Sequence, residues 1–360
     1  MDGVELNKDQ DLWLNISFMT KEASALLPKG HEMAWEQFQL RKQLIGESLQ
    51  MPQDSPLQVE ENLSDLLVKG EDFEYRFDKK SGHLKQMYSQ GTKLLEDGPL
   101  FNVWRAPLAN DIDPWNNGQH KNLQKTQEGL GRSRDNSWRT MGIDKLNYQV
   151  DAFQYTEMGE QGLEIRVEET ARTATGLGGF SNHYIYHIDN NGTVQMHVES
   201  IAQGQLPNWL PRLGWQFRLP KELQTVSWFG RGPQENYPDR KTGYKFGNYQ
   251  TTVDEMYVPY LIPQDFGNRS DVNRVKVENA AGAGLLIEGG LFNFSVHNYS
   301  TDHLERAMYA FQLQKANSVF LNIDQEVNGV GDTSLSTLRE HRVLPGRYEF
   351  AIKITPVKAK

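Results

Sequence analysis

Residues 184–200 read YIYHIDNNGTVQMHVES, two runs of alternating apolar and polar residues separated by a short polar stretch. Alternation with a period of two places every second side chain on the same face of a β-strand. The connecting residues 189–192 end in Asn-Gly, a pair that readily supplies the positive φ angles of tight turns. The stretch therefore predicts an antiparallel hairpin with one face in a core.

The same alternation recurs along most of the chain. Further examples are DLWLNISFM at 11–19, LEIRVEE at 163–169, VNRVKVE at 272–278, VFLNID at 319–324 and RYEFAIKI at 347–354. Helical periodicity is sparse, and its best example is TDHLERAM at 301–308, where Asp302 is the expected N-cap of a short helix. Because strands do not alternate with helices as in parallel-sheet folds, the sequence predicts an all-β fold.

The alternation is lost between residues 46 and 69, where polar residues and prolines predict a linker. This linker separates residues 1–45 from a large antiparallel domain that we expect at residues 70–360. A segment as short as residues 1–45 holds two or three strands, too few for a β-sandwich that buries its own core. We therefore expect residues 1–45 to be part of a domain whose other strands come from elsewhere.

Composition narrows the function classes. The 360 residues include no cysteine, which excludes thiolate metal sites and cysteine nucleophiles and is typical of a reducing cytoplasm. A formal net charge of −9 argues against binding to nucleic acid phosphates. The sequence has no basic-then-apolar leader, and no apolar run approaches the roughly 20 residues of a membrane helix. We expect a cytoplasmic protein with no nucleic acid or membrane partner.

Metal and phosphate motifs are also missing from the sequence. The nine histidines are scattered, without the spacing of a paired ligand set. GLGG at 176–179 matches neither a Walker loop nor a dinucleotide fingerprint. We expect no metal site and no cofactor on this chain.

The stretch WFGRGPQENYPDR, residues 228–240, combines two acids and two arginines with glycines and prolines. Glycoside hydrolysis needs two carboxyl groups, so Glu235 and Asp239 are candidates for that chemistry. Charges this close in sequence more often stabilise the shape of a loop. We favour the structural interpretation, in which Glu235 and Asp239 pair with Arg231 and Arg240.

A polar stretch that follows an apolar strand is a candidate for ligand contact. RAPLANDIDPWNNG, residues 105–118, places Asn110 and Asp111 on a backbone stiffened by prolines, with Trp115 beyond them. Convergent polar groups of this kind orient hydroxyl-rich ligands in concave sites. A hydrogen-bonded Ω-loop without a ligand is an equally simple interpretation.

A second polar stretch, NGVGDTSLSTLREH at residues 328–341, also follows an apolar strand. Its glycines permit close approach of the backbone to a ligand, and Asp332 and Ser334 offer hydrogen bonds. The structural alternative is an ordinary hairpin connection.

Together these stretches resemble family 2 β-galactosidases. WFGRGPQENYPDR, VDEMYVPYLIPQDFGNRSDV at 253–272, RAPLANDID at 105–113 and VFLNIDQEVNGVGD at 319–332 are similar to the C-terminal third of the long-chain enzymes. LPKGHEMAWEQFQL at 27–40 is similar to the end of the Ig-like sandwich that precedes that region. Because this sequence begins at its own methionine, it resembles the small subunit of a heterodimeric β-galactosidase.

The resemblance implies a galactose mutarotase-like antiparallel supersandwich, preceded by a partial Ig-like β-sandwich that a large catalytic subunit completes. It implies a non-catalytic role in the hydrolysis of terminal non-reducing β-D-galactosides such as lactose, with retention of configuration. In this family both catalytic glutamates lie on the barrel, so no catalytic residue is expected on this chain. Any Mg or Na is expected on the large subunit.

The resemblance also assigns site residues. The expected substrate-binding residues are Asn110, Asp111, Trp115, Asp332, Ser334 and Leu335. Leu335 stands where the family pattern has a tryptophan, and leucine lacks the ring stacking on a sugar that contributes roughly 1 kcal/mol. Either Trp115 or the large chain substitutes for that ring, or the aglycone site is weaker.

The same resemblance makes residues 228–240 a structural element of the large β domain. Gly230 and Gly232 are expected there in tight backbone turns.

Two other functions are compatible with this sequence. An independent aldose epimerase needs an acid and a base that flank the sugar ring, and His297 and Glu305 are conceivable, although no motif distinguishes them. A stand-alone carbohydrate-binding protein leaves the partial N-terminal sandwich unexplained.

Overall fold

The computed structural model describes residues 11–41, 56–111, 138–331 and 337–359. The chain divides into two compact units, residues 1–51 and 52–360. Within the described residues of both units, β-strands dominate and neighbouring strands pair antiparallel. The predicted all-β fold is confirmed.

The secondary structure within the described residues consists of nineteen strands, one α-helix and short 3₁₀ turns. In chain order the strands are β1 (Leu12–Met19), β2 (Glu32–Arg41), β3 (Gln58–Glu61), β4 (Asp65–Lys69), β5 (Phe73–Asp78), β6 (Leu84–Ser89), β7 (Thr92–Leu95), β8 (Asp97–Asn102), β9 (Leu146–Glu157), β10 (Leu163–Thr173), β11 (Gly178–Ile188), β12 (Val194–Gly204), β13 (Arg212–Pro220), β14 (Thr225–Gly232), β15 (Lys245–Thr252), β16 (Arg269–Glu278), β17 (Gly284–His297), β18 (Ser318–Val327) and β19 (Arg347–Val357). The helix is α1 (Thr301–Arg306), and the 3₁₀ turns are Ala109–Asp111, Gly159–Gln161, Ala310–Gln312 and Arg339–His341.

The described residues of the first unit form a two-stranded sheet of β1 and β2. Its register places Leu14 opposite Phe38 and Asn15 opposite Gln37. Opposed residues of an antiparallel pair share a face. One face is largely apolar but includes Glu36, and the other mixes polar side chains with Trp13 and Trp35. On the second face the Gln37 side chain donates to Asn15 Oδ1 at 2.7 Å.

The second unit contains two antiparallel sheets. The larger has twelve strands within the described residues, with β15-β14-β16-β17-β19-β12-β11-β10-β9 as its main order and β13, β18 and β8 joined beside it. The smaller sheet has the order β3-β4-β5-β6-β7.

A continuous core joins the two sheets of the second unit. Alternate residues of each strand point inward, so Phe77 of β5 packs edge-on against Tyr186 of β11, with ring centroids 5.4 Å apart. Deeper in the large sheet, Trp215 stacks on Phe350 at 4.8 Å. These inward rings belong to the period-two runs of the sequence, which explains why the alternation predicts the core.

The opening hairpin forms as predicted from β11 and β12, with Ile188 opposite Val194. Its turn differs from the expected Asn-Gly geometry, because Gly192 has a φ of 84° while Asn191 does not enter the positive region. Instead, Asp189 Oδ1 accepts the amides of Asn191 and Thr193, each at 2.9 Å. A side chain therefore replaces the second positive-φ residue in shaping this turn.

The predicted linker at 46–69 is too long, because β3 and β4 lie inside it. β4 pairs with β5, so the β domain begins before residue 70. Asn62 Oδ1 accepts the amides of Ser64 and Asp65, each at 2.8 Å, and this closes the turn between the two strands. The strands are short and partly polar, and the sequence pattern therefore did not separate them from a linker.

Two further local predictions are wrong. Ser300, and not Asp302, caps α1, since its hydroxyl accepts the His303 amide at 3.2 Å. Gly230 lies within strand β14 and not in a turn, and a Cβ there would lie 2.5 Å from Val272 Cγ2. Gly232 ends the same strand, where a Cβ would lie 2.8 Å from the Tyr249 ring. These glycines permit close packing between strands.

Replacing Gly192 by alanine will destabilise the second unit far more than the same change at Gly176. Both glycines have positive φ, but a Cβ at Gly192 would lie 2.7 Å from the Phe73 ring, whereas one at Gly176 meets nothing within 4 Å. We expect Gly192→Ala to lower the free energy of unfolding by about 3 kcal/mol and Gly176→Ala by about 1 kcal/mol. Urea unfolding measures both, and equal losses would contradict the crowding.

Candidate functional site

The predicted loop at residue 105 starts with a buried ion pair. Arg105 Nε and Nη2 donate to the two carboxylate oxygens of Asp111 at 3.0 and 2.9 Å, and both side chains are wholly buried. The Leu108 amide also donates to Asp111 Oδ2 at 2.9 Å. Burial raises the pKa of Asp111, and the adjacent guanidinium opposes this rise. The pair closes residues 105–111 into a tight loop.

Arg105 also connects this loop to the second predicted loop. Its Nη1 donates to the Asn328 carbonyl at 2.9 Å, and Nη2 lies 3.4 Å from the Gly329 carbonyl. The Asn110 amide group donates to the carbonyls of Val330 and Gly331 at 3.3 and 3.1 Å. The structure therefore brings together the two polar stretches that the sequence singled out.

Asp239, from the stretch 228–240, contacts the same backbone from another direction. Its two carboxylate oxygens accept the amides of Val330 and Gly331 at 3.0 and 2.7 Å. A Cβ at Gly329 would lie 2.7 Å from the Asp239 carboxyl carbon, so only glycine fits there. Asp239 thus fixes the amides of a segment whose carbonyls are bound by Arg105 and Asn110.

A fourth segment, residues 264–268, completes the arrangement. Gln264 Oε1 accepts the Ala109 amide at 2.8 Å, and the Asp265 amide donates to the Ala106 carbonyl at 3.1 Å. We call residues 105–111, 235–239, 264–268 and 328–331 the loop junction. Four segments that are far apart in sequence meet here through hydrogen bonds.

The prediction that the charged side chains of residues 228–240 pair with one another is wrong. Arg231 pairs with Asp271 at 2.7 Å. Glu235 accepts the Tyr260 hydroxyl and, at 2.8 Å, the Gly267 amide. The predicted structural role of Glu235 and Asp239 agrees with these contacts, but each carboxylate binds a neighbouring loop instead of an arginine in its own stretch.

The carboxylates of the loop junction are occupied by fixed donors. Both oxygens of Asp111, Glu235 and Asp239 accept hydrogen bonds from an arginine, a tyrosine or backbone amides. A nucleophile or general acid needs an oxygen that can reach the substrate. These contacts give the three residues a part in shaping the loops.

A buried charge cluster lies at the ends of β13 and β18, next to the loop junction. Arg212 Nη2 donates to Asp265 Oδ2 at 2.8 Å, and Arg212 Nη1 lies 3.6 Å from Asp324 Oδ2. Within the described part of the chain, neither oxygen of Asp324 has a hydrogen-bond donor. Burial raises the pKa of Asp324 to about 7, and the Arg212 guanidinium only partly opposes this rise.

The predicted site residues fall into two groups. Asn110 lies half-buried in the loop junction, and Asp111 is buried beneath it as a supporting residue. Trp115, Asp332, Ser334 and Leu335 lie outside the described residues, and their roles stay predictions. Sequence reasoning missed the clamping role of Asp239, because nothing in the sequence connects it to a backbone segment about ninety residues away.

The residues suggested for an epimerase are both engaged. His297 is buried, stacks on Phe266, and its Nε2 lies 2.8 Å from the Phe266 carbonyl oxygen. Burial lowers the pKa of His297. Glu305 accepts from Trp104 Nε1 at 3.0 Å and pairs with Arg139. These contacts assign structural roles to both side chains.

A search of the described ranges for three or more clustered His, Asp or Glu side chains that could hold a metal ion finds no such group. In the same ranges, no helix has the length and apolar character needed to cross a membrane.

Comparison with known families identifies the protein's relatives. A family model described as β-galactosidase small chain matches residues 69–354, most of the chain. The chain belongs to the β-galactosidase small chain family. A second model, described as β-galactosidase domain 4, matches residues 2–41 of this small chain. The predicted family is confirmed, and residues 42–68 separate the two matches.

Curated relatives of this small chain are named β-galactosidase. The protein of Vibrio cholerae is 29% identical over 325 residues, which cover 90% of this chain and 30% of the relative. The protein of Pseudoalteromonas haloplanktis is 27% identical over 351 residues, 95% of this chain and 32% of the relative. The small chain therefore spans about a third of the length of these relatives.

Solved structures that match this chain include galactose mutarotase-like proteins. A galactose 1-epimerase from Lactobacillus acidophilus gives a TM-score of 0.42 at 7% identity, covering 85% of this small chain and 99% of that structure. An aldose epimerase homologue from C. elegans gives 0.43 at 11% identity, covering 85% and 100%.

Asp324 should make the small chain less stable as pH rises from about 4 to about 7. In this window folded Asp324 retains a proton that the unfolded chain, with an ordinary pKa near 3.8, has lost. Because the folded state binds more protons than the unfolded state in this window, the free energy of unfolding falls by up to about 1.4 kcal/mol for each unit by which the pH rises. Asp324→Asn should remove this pH dependence. The free energy of unfolding of the variant, relative to that of the wild type, should therefore rise from pH 4 to pH 7 and then level off.

Urea unfolding of both proteins across this pH range measures the difference. A difference that stays constant with pH would show that Asp324 is ionised in the folded protein and would contradict the assignment.

Proposed function

We propose that the protein is the non-catalytic small subunit of a two-chain β-galactosidase that hydrolyses terminal non-reducing β-D-galactosides such as lactose. The observation that carries the proposal is an apolar sheet face, in the segment that matches β-galactosidase domain 4, whose large side chains are exposed in the described part of the chain. Such a face needs a second sheet to cover it. The large catalytic chain is the proposed source of that sheet.

The apolar face follows from the pairing of β1 with β2. Leu14, Ile16 and Phe18 alternate along β1, opposite Phe38, Glu36 and Ala34 of β2. The side chains of Ile16, Phe18 and Phe38 are 39%, 63% and 48% exposed. This alternation is that of an inner sandwich face, on which a second sheet packs at a distance of about 10 Å.

The energetics of a two-stranded sheet favour the same conclusion. Isolated pairs of strands are at best marginally stable in water, since they bury too little apolar surface. Exposed rings and aliphatic chains gain about 25 cal/mol for each Å² removed from water. Strands of a partner that cover this face would stabilise both chains and give an obligate interface.

In the proposed enzyme, two glutamates of the large chain perform a retaining hydrolysis. One attacks the anomeric carbon, and the other protonates the leaving oxygen and then activates water. The loop junction of the small chain would form part of the rim, with Asn110 on it and the buried Asp111 supporting it from below. Trp115, Asp332, Ser334 and Leu335, outside the described residues, are the other proposed rim residues. Mg and Na would bind on the large chain. The proposed location is the cytoplasm.

The experiment mixes this chain with the large chain encoded in the same genome. Alone, the small chain should not hydrolyse a chromogenic β-galactoside, and the mixture should be active as a complex seen by light scattering. Phe18→Glu combined with Phe38→Glu should weaken the complex at least about a hundredfold, because two charges would be buried in an apolar interface.

Leu177→Glu is the matched control, since Leu177 is an exposed aliphatic residue of the second unit at 58% exposure. It should leave both complex and activity unchanged. Turnover by the purified small chain alone would contradict the non-catalytic role. A complex that is insensitive to the double variant would contradict the proposed interface.

A further inference from the structure

A groove of about 610 Å³ lies on the outward face of the five-stranded sheet, built from residues outside the loop junction. The residues that matter for its chemistry are Glu71, Glu74, Arg76, Gln86, Tyr88 and Gln90.

Strand register brings the central side chains together. Glu74 lies opposite Tyr88, and Arg76 opposite Gln86, so these four share the outward face of β5 and β6. The alternate residues Phe73, Tyr75 and Phe77 of β5 are buried on the other face. The central side chains of the groove therefore lie on paired strands and not on loops.

The turn between β6 and β7 closes one end of the groove. The Gln90 amide donates to the Asp72 carbonyl at 2.7 Å, which ties this turn to the start of β5. Lys93 lies over the Tyr88 ring, 5.9 Å from its centroid. These contacts tie the turn to the start of β5 and place Lys93 near the Tyr88 ring.

The polar side chains in the centre of the groove are not used by the protein itself. Other charged residues on the five-stranded sheet form ion pairs, namely Lys69 with Glu60 at 3.0 Å, Lys79 with Glu61 at 2.6 Å and Lys85 with Asp78 at 3.0 Å. Glu74, Arg76 and Gln86 make no side-chain hydrogen bond or ion pair with the rest of the described chain. Their donors and acceptors are available to a ligand.

We propose that this groove binds a neutral oligosaccharide as an accessory saccharide site. A sugar hydroxyl both donates and accepts, and the groove offers a carboxylate acceptor (Glu74), guanidinium donors (Arg76) and an amide that does both (Gln86). The Tyr88 ring provides an apolar surface for the C–H face of a pyranose. Among the described residues, Arg76 is the one cationic side chain that lines the groove, against Glu71, Asp72 and Glu74, and Asp72 is paired with Lys358 at 2.6 Å.

The site goes beyond the proposed function, because it requires neither a catalytic partner nor turnover. It would retain saccharide on the protein surface whether or not the chain belongs to a two-chain enzyme. Binding to the chain alone therefore tests it independently of the galactosidase assay.

Saturation-transfer NMR of the full chain with lactose, β-galactotriose and cellobiose tests the proposal. Millimolar binding is expected for at least one of these probes. Tyr88→Ala should weaken that binding about fivefold or more through loss of the ring surface. Glu74→Gln, which preserves side-chain size, should also weaken it severalfold. Tyr309→Ala removes an exposed ring elsewhere and should have no effect, since Tyr309 is 55% exposed and outside the groove.

Two results would overturn the saccharide site. The first is no saccharide binding at millimolar concentration, or binding that Tyr88→Ala and Glu74→Gln both leave unchanged. The second is salt-sensitive binding of spermidine that Glu74→Gln weakens, without saccharide binding, which would assign the groove to a cationic ligand. Circular dichroism of each variant establishes that the fold is retained, and Glu74→Gln decides the question if Tyr88→Ala fails to fold.

Discussion

The carboxylate of Asp239 accepts two consecutive backbone amides, those of Val330 and Gly331, and the arrangement of the loops depends on this contact. Backbone groups that leave a sheet must find partners, since an unpaired buried amide costs about as much as a lost hydrogen bond. Arg105 and Asn110 bind carbonyls of the same segment. Three side chains from two distant loops thus replace the missing strand neighbour.

Buried charge accompanies this arrangement. Arg105 and Asp111 are fully buried as a pair, and Arg212 lies between Asp265 and Asp324. Buried ion pairs recover their desolvation cost only with good geometry, so they are a poor source of stability. Here they fix where four loop segments meet. We regard this positioning as the reason for their presence, with the apolar core of the two sheets as the source of stability.

Sequence patterns predicted the elements of the fold better than the contacts between them. Period-two runs such as 184–200 predicted strands and inward-facing rings, because alternation is a local property of the chain. The partners of Arg231 and Asp239 could not be predicted, since each depends on which strands become neighbours. Gly329 illustrates this limit of sequence-based prediction, because position 329 requires glycine only when Asp239 packs against it.

The same reasoning explains the errors at β3 and β4, whose short, partly polar runs resemble a linker until they pair with β5. For the candidate site, the structure brings together the two polar loops that the sequence singled out, and their contact with a ligand stays a prediction. The sequence did not predict that Asp111 is buried and supports the loop, because burial is a property of the assembled fold. The described residues of the first unit form one pair of strands, and the prediction that another chain completes a sandwich around them stays a proposal.

Amide hydrogen exchange at Val330 and Gly331, measured by NMR, tests most directly whether Asp239 fixes the loop junction. The account predicts slow exchange at both amides in the wild type. Asp239→Ala should give exchange at least about tenfold faster at these two positions, with the amides of β11 unchanged. Asp302→Asn, at an exposed carboxylate, should change neither. Fast exchange at both amides in the wild type, or equal exchange in wild type and Asp239→Ala, would contradict the account.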